Sequence, residues 1–212
     1  MTIANRKERQ KEELKAKILE AARALFIERG FEETSIRNIA ERIDYSPTTI
    51  YLYFKDKDDI FFALHREGFV LLNKYFRALQ DVEDPFERLK AISRSYIRFA
   101  LENREYYDLM FISRSPMSAL EDRDEEKWEE GNRAFGFLEN TVRQCIDRGY
   151  FEGMNPEVLS FTCWSAVHGI CALEIRGRCD VVNEEAMTDI SVKVGANFVE
   201  MLERMHGKKP SP

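Results

Sequence analysis

Apolar positions along this chain recur every three or four residues and form no sustained alternation. From Arg6 to Arg29, residues Leu14, Ile18, Ala21, Ala22, Leu25 and Phe26 fall on one side of a helix. Gly30 follows, suited to the left-handed position after a helix end. Thr34 or Ser35 is placed to cap a short helix reaching Arg42, with Ile36, Ile39, Ala40 and Ile43 turned inward. Ser46 caps a third helix, with Pro47 at its first position, where a missing N–H costs nothing. Helices this short need each other and the first helix for burial. The pattern predicts a three-helix unit over about residues 6–54.

A fourth helix is predicted from near Asp56 towards Gln80, carrying Ile60, Phe61, Leu64, Val70, Leu71 and Phe76. Asp84-Pro85 opens another with Phe86, Leu89, Ile92, Tyr96, Phe99 and Ala100, and a shorter one spans Arg104–Ile112. Ser115-Pro116 and the acidic run 121–126 predict a surface turn. Trp128, Phe135, Leu138, Val142 and Ile146 define the next helix, ending at Gly149. Asn155-Pro156 caps a helix with Leu159, Trp164, Val167, Ile170, Cys171 and Leu173. The last helix opens near Asn183 and carries Ile190, Val194, Phe198, Met201, Leu202 and Met205. No segment has strand period, so the predicted fold is all-α: an N-terminal three-helix domain and a larger helical domain, about nine helices in all. The expected domains are residues 1–57, residues 58–206 and a disordered tail at 207–212.

Composition narrows the class. Of 212 residues 44% are apolar and 33% charged, ordinary for a globular protein. No stretch is expected to reach the roughly 18–20 apolar residues a membrane span needs. The N-terminus lacks an apolar signal core, so the chain is expected in the cytoplasm. The net charge of −6 is uneven: residues 1–57 hold 12 Lys/Arg and 10 Asp/Glu, a net of +2, leaving −8 for the rest. Arg6, Lys7, Arg9, Lys11, Lys15 and Lys17 precede the short helices, with Glu8, Glu12 and Glu13 interleaved. This run reads as phosphate-facing or as a solvated, salt-bridged helix start.

The four cysteines, Cys145, Cys163, Cys171 and Cys179, form no CxxC and are expected as reduced thiols. His168 and Cys171 are three apart, but no further ligand accompanies them, so neither metal nor cofactor is expected. A Gly-rich phosphate loop, HExxH and GxSxG are all missing, which argues against an all-α enzyme.

The stretch from Thr34 to Lys57 has the layout of a helix-turn-helix. In its second helix Ile50 and Phe54 point inward, leaving Thr48, Thr49, Tyr51 and Tyr53 for phosphates and thymine methyls. Lys55 and Lys57 follow, the latter at the start of the next helix, where it adds to that end's affinity for phosphate. Between Ser46 and Phe54 there is no Arg, Lys, Asn or Gln, so bidentate base reading cannot come from inside this helix.

ILEAARALFIERGFEETSIRNIAERIDYSPTTIYLYFKDKDDIF resembles the N-terminal domain of TetR-family transcriptional regulators. The resemblance covers about 50 residues and rests on AAxxLFxxxGF, TSIRNIA and TTIYLYFKDK in order. It implies an α-helical homodimer that binds a palindromic operator in double-stranded DNA, usually a repressor released by a small ligand. By position it implies DNA contacts at Arg37, Thr48, Thr49, Tyr51, Tyr53 and Lys57, with Lys57 as a phosphate clamp. Further on, CWSAVHGICAL resembles the subgroup whose C-terminal domain carries a Trp–His–Gly signature, here Trp164, His168 and Gly169. Trp164 and His168 share a helix face; they line an effector pocket or dimer seam, or are satisfied core residues, and for direct ligand contact the core reading is preferred.

Pocket candidates are Tyr96, Phe99, Tyr107, Met110, Phe111, Trp128, Phe135, Trp164 and His168, which suit an apolar effector. Arg98, Arg104 and Arg133 are candidates for an anionic group on it. The helices at about 156–177 and 184–205 are apolar enough to form the homodimer seam. A chain of the same fold controlled by a protein partner, or by nothing, is the alternative.

Overall fold

The computed structural model describes residues 3–112, 129–179 and 190–205. The expected turn at 115–126, Trp128, the start of the last helix near Asn183 and the tail at 207–212 lie outside the described residues. Among the described residues all regular structure is helical: α1 Ile3–Arg29, α2 Ile36–Arg42, α3 Pro47–Tyr51, α4 Lys57–Arg77, α5 Pro85–Glu102 and α6 Arg104–Tyr107 come first. A π-helical turn, Asp108–Ile112, follows, then α7 Glu129–Asp147, α8 Pro156–Ile175 and α9 Ile190–Met205.

Local chemistry places the boundaries. Ser35 caps α2 through the Asn38 N–H, and the Asn38 side chain returns a bond to the Ser35 N–H, closing a capping box. Ser46 caps α3, Asp84 α5 and Asn155 α8, each followed by proline at the first position. Gly30 ends α1 at φ +87°, a conformation that costs other residues a Cβ clash. Thr34 is not the cap. It is buried, and its hydroxyl donates to the Gly30 carbonyl at 2.8 Å, tying off the end of α1.

The described residues divide into two compact units: 3–68 with 105–112, and 69–104 with 129–179 and 190–205. The division falls inside α4, after Gly68, and so beyond the expected domain limit at residue 57. In the first unit Ile18, Ala22, Leu25, Ile39, Ala40, Ile50, Phe54, Ile60, Phe61 and Leu64 share one core, joined by Leu109 from the π-turn. Phe26, Phe31 and Phe61 pack with ring centres 5.2–6.1 Å apart. Arg42 bridges to Glu28 with both terminal nitrogens, at 2.7 and 3.1 Å, holding α2 against the end of α1.

In the second unit α5 packs on α7, α8 and α9. Phe86 stacks on Tyr150 at 5.0 Å, and the Tyr150 hydroxyl donates to Asp84, the α5 cap, at 3.3 Å. Lys90 joins α5 to α9 through Glu203 at 2.7 Å. Two expectations need correction. In α4 the inward residues are Phe69 and Leu72; Val70 is exposed and Leu71 half-buried, because 61, 65, 69, 72 and 76 keep helical spacing where 70 and 71 do not. And one helix, α8, is long and apolar enough to cross a membrane by length and composition, with mean hydropathy 1.5. Leu159, Cys163, Val167 and Cys171 fill its inner face, and Val158, Phe161 and Leu173 are more than half exposed on others. An all-round apolar helix is the sign of burial on more than one side.

Candidate functional site

Residues 35–57 form a helix-turn-helix held from below by the first core. Asp44 makes the turn between α2 and α3 at φ +59°, a left-handed position that aspartate tolerates better than most side chains. Ile50 and Phe54 are buried, as expected, and of the residues between them Tyr53 packs partly against the same core while Tyr51 and Leu52 are exposed. Thr48 is exposed and Tyr51 is 56% exposed, presenting a hydroxyl, a methyl and a phenol on one open face. Thr49 is half-buried and shares a hydrogen bond with the Ser46 hydroxyl at 2.9 Å, so part of its capacity goes into the cap. Tyr53 is half-buried at the exit of α3, and Lys55 is exposed beside it.

Arg37 stands on the outer face of α2, paired with Glu41 at 2.8 Å. Hydrogen bonding to that carboxylate raises the guanidinium pKa, and an exposed pair of this kind is readily exchanged for a phosphate. Lys57 is placed differently from a free clamp. Its ammonium donates to the main-chain carbonyls of Phe31 at 2.7 Å and Glu32 at 3.3 Å and lies 4.2 Å from the Phe31 ring centre. Two of its three N–H groups therefore tie the α1–α2 turn to the start of α4.

The pocket candidates fall in both units. Tyr107, Met110 and Phe111 belong to the first unit. Tyr107 and Met110 are buried there, and the Met110 side chain closes on Gly68 of α4, where a Cβ would lie 2.4 Å from its sulfur. Tyr106, just before Tyr107, donates to Glu67 at 3.0 Å and lies 4.8 Å from the Arg23 guanidinium. Arg23 Nε is 3.1 Å from Glu105, near enough to pair though out of line for a hydrogen bond.

Tyr96, Phe99, Phe135, Trp164 and His168 belong to the second unit. Trp164 Nε1 donates to the Tyr96 hydroxyl at 3.1 Å, and that oxygen is 3.3 Å from His168 Nδ1. Phe135 and Phe161 meet the Trp164 ring edge-on at 6.1 and 5.3 Å. Burial lowers the His168 pKa, favouring the neutral ring. Phe99 is fully buried, its ring 5.7 Å from that of Tyr75. Of the candidate arginines, Arg98 lies over the Tyr75 ring at 5.7 Å, Arg104 is 3.9 Å from Glu174, and Arg133 pairs with Glu129. Cys145, Cys163 and Cys171 are free, buried thiols; burial pushes Cys145 and Cys171 up to about 12 and Cys163 to about 11, which makes them inert.

Residues 18–64 match the family model of bacterial regulatory proteins of the tetR family, and residues 89–195, half of the chain, match the Tetracyclin repressor-like C-terminal domain. The chain belongs to the TetR family. It is a transcriptional regulator by family, and its relatives are regulators rather than enzymes.

The chain is 29% identical over 161 residues to the HTH-type transcriptional regulator HbdR of Aromatoleum sp. (strain CIB), covering 74% of this chain and 68% of HbdR. It is 42% identical over 50 residues to the repressor AcnR of Corynebacterium diphtheriae, 24% of this chain and 26% of AcnR. It is 28% identical over 102 residues to the activator FasR of Mycolicibacterium smegmatis, 48% and 47% of the two chains. AcnR and FasR are thus matched over less than half their length. Among solved structures, the fatty acid degradation regulator FadR from Bacillus halodurans shares the fold at TM-score 0.70 and 16% identity, over 89% of this chain and 93% of FadR. AibR in complex with isovaleryl coenzyme A and operator DNA does so at 0.67 and 21%, over 88% and 96%.

One residue of this TetR-family reader escaped the sequence reading. Leu52 is 76% exposed on the open side of the motif, available to a thymine methyl. The signal was present: Leu52 stands midway between Ile50 and Phe54, and one half-turn from each can only be the opposite face.

Proposed function

We propose that the protein is a homodimeric repressor that leaves a palindromic operator when a small apolar ligand binds. The observation that carries this reading is the open face of α3, where Thr48, Tyr51 and Leu52 stand clear of the core while Ile50 and Phe54 anchor it. Contacts from Arg37, Thr48, Thr49, Tyr51, Tyr53, Lys55 and the remaining N–H of Lys57 fit a reader that works by phosphates, methyls and DNA shape. The exposed apolar side chains Val158, Phe161, Leu173, Val192 and Met201 all lie on α8 and α9, which fits a second copy covering both helices. A twofold dimer then sets the recognition helices about 34 Å apart, one DNA turn, or a multiple of it. That burial is also the reason to place the protein in the cytoplasm rather than a membrane.

A ligand in the second unit matters only if it prefers the form that does not fit DNA. A preference of ~3 kcal/mol weakens operator binding roughly a hundredfold. Helix α4 carries residues of both units and is the proposed lever. FadR and AibR suggest an acyl compound as the first ligand class to test, and the aromatic cluster around Trp164 is where its tail would lodge. The second reading is a regulator with no small effector; the closed packing of Tyr107 and Met110 favours it.

Selection of bound duplex from a random pool tests the reader, and a panel of fatty acids and acyl thioesters added to that complex tests release. Symmetric half-sites, bound in a salt-sensitive way and freed by one chain length, are expected. No sequence-selective binding at low salt overturns the reading. Binding that no small molecule relieves favours the second one.

A further inference from the structure

Helix α9 has two apolar sides. Gly195, Val199 and Leu202, at helical spacing, are buried. Val194 and Met201, two turns apart on another side, are exposed, and that side belongs to the proposed seam. The buried side meets α5 at two points. At one, a Cβ on Gly195 would lie 2.5 Å from the Ile97 Cδ1 methyl. Carbon atoms pack at about 3.5–4.0 Å, so only glycine fits there without a shift. At the other, the Lys90 ammonium lies 2.7 Å from Glu203 and 2.7 Å from Glu87, on a side chain only 12% exposed. Ile97 comes after Lys90 and Gly195 before Glu203, so the two helices run antiparallel. The contacts stand about two turns apart on each helix, roughly 10–12 Å. Helix α5 backs the other proposed seam helix as well: the Tyr96 hydroxyl, next to Ile97, accepts from Trp164 of α8 at 3.1 Å.

We propose that Gly195 and the Lys90–Glu203 pair are positioning residues for the operator: they fix where α9 stands in the homodimer seam, and through it the half-site spacing that the protein accepts. The inference rests on the proposed homodimer and extends it to what sets the seam's geometry. The two contacts constrain different movements. The missing side chain at Gly195 sets how near α9 approaches α5. The Lys90 ammonium, held between a carboxylate of its own helix and one of α9, sets how far α9 slides along it. A Cβ at Gly195 calls for a shift of about 1–1.5 Å, because Ile97 is buried and its methyl cannot swing clear without disturbing the core. Helix shifts of about 1–2 Å at a subunit interface are the size that switching oligomers use. Moving a half-site by one base pair carries it about 3.4 Å along the duplex and about 35° around it, so spacing is a sensitive gauge of seam geometry. Gly195, Lys90 and Glu203 belong to the second unit, outside the motif, and so leave base preference alone.

The test uses the full chain and duplexes carrying the half-sites it selects, with the central spacer shortened or lengthened by one and two base pairs. The native chain should prefer one spacing roughly tenfold over its neighbours. Gly195→Ala should lose that preference, binding a neighbouring spacing as well or better, while selecting the same half-site bases from a random pool. Adding Ile97→Val, which removes the methyl in the way, should restore the native optimum, a recovery that loss of stability alone would not produce. Glu203→Gln, a milder change at a half-exposed carboxylate, should keep the optimum and narrow its advantage roughly threefold. Sedimentation and melting curves accompany each variant. A Gly195→Ala chain with the native spacing profile overturns the proposal and leaves the dimer standing. A Gly195→Ala chain that no longer folds or dimerises also overturns it if Glu203→Gln keeps the native profile. A native chain that is a monomer, or is indifferent to spacing, overturns the proposed dimer itself and takes this inference with it.

Discussion

The Lys57 ammonium donates to the Phe31 carbonyl at 2.7 Å and rests 4.2 Å from the centre of the same residue's ring. Phe31 sits in the first core, against Phe26 and Phe61, so the contact braces the α1–α2 turn against the first turn of α4. Lys57→Ala should therefore cost roughly 1–2 kcal/mol of stability as well as operator affinity. Tyr51→Ala, removing an exposed side chain, should cost affinity alone. Chemical denaturation beside gel-shift titration checks both; a Lys57→Ala chain as stable as the native one would show that the brace is idle.

Gly68 is the point where α4 meets Met110. A Cβ there would lie 2.4 Å from the Met110 sulfur and 2.8 Å from Cγ. Gly68→Ala should destabilise the chain by roughly 1–3 kcal/mol despite alanine's higher helix propensity. Adding Met110→Ala should recover part of that loss. A Gly68→Ala chain with a raised melting temperature would mean the two helices are not in contact there.

His65 is buried on α4, and burial lowers its pKa from 6.5 to about 4. The unfolded chain binds this proton more readily than the folded one, so the folded state is favoured fully above about pH 6.5. Stability drains as pH falls from there towards 4, by up to roughly 3 kcal/mol. Between pH 7 and 5, before most carboxylates titrate, His65→Leu should show a flatter stability profile. Parallel profiles for the two chains would clear His65 of that role.

Phe161 is 56% exposed on α8 and Val158, less than one turn away, is 65% exposed. Phe161→Asp should give a folded monomer in sedimentation, with normal helical content and weak operator binding. Truncation before Asn183, which removes α9, should also give monomers. A dimer that survives both changes would place the seam elsewhere.

Helix ends were legible because their chemistry is local. Ser35, Ser46, Asp84 and Asn155 each satisfy N–H groups two or three residues away, and after the last three a proline at the next position completes the signal. The open face of α3 was legible for the same reason, since burying Ile50 and Phe54 leaves Thr48 and Tyr51 one direction to point. The inward stripe of α4 was misread at Val70 and Leu71, because a run of apolar residues fits two helical phases equally well.

What the sequence alone determined is the set of helices, their caps and the TetR-family character of the reader. These depend on spacings of two to four residues and on side chains that act within one turn. Tertiary structure decided the rest. It turned Lys57 back onto carbonyls 25 and 26 residues away. It divided the aromatic candidates, sending Tyr107 and Met110 to one unit and Tyr96 and Trp164 to the other. It joined Lys7, Lys11 and Lys17 to Tyr45 and Tyr53 around one groove. Each of these depends on which helix faces pack together, and that is fixed by the fit of whole cores rather than by any local run of residues.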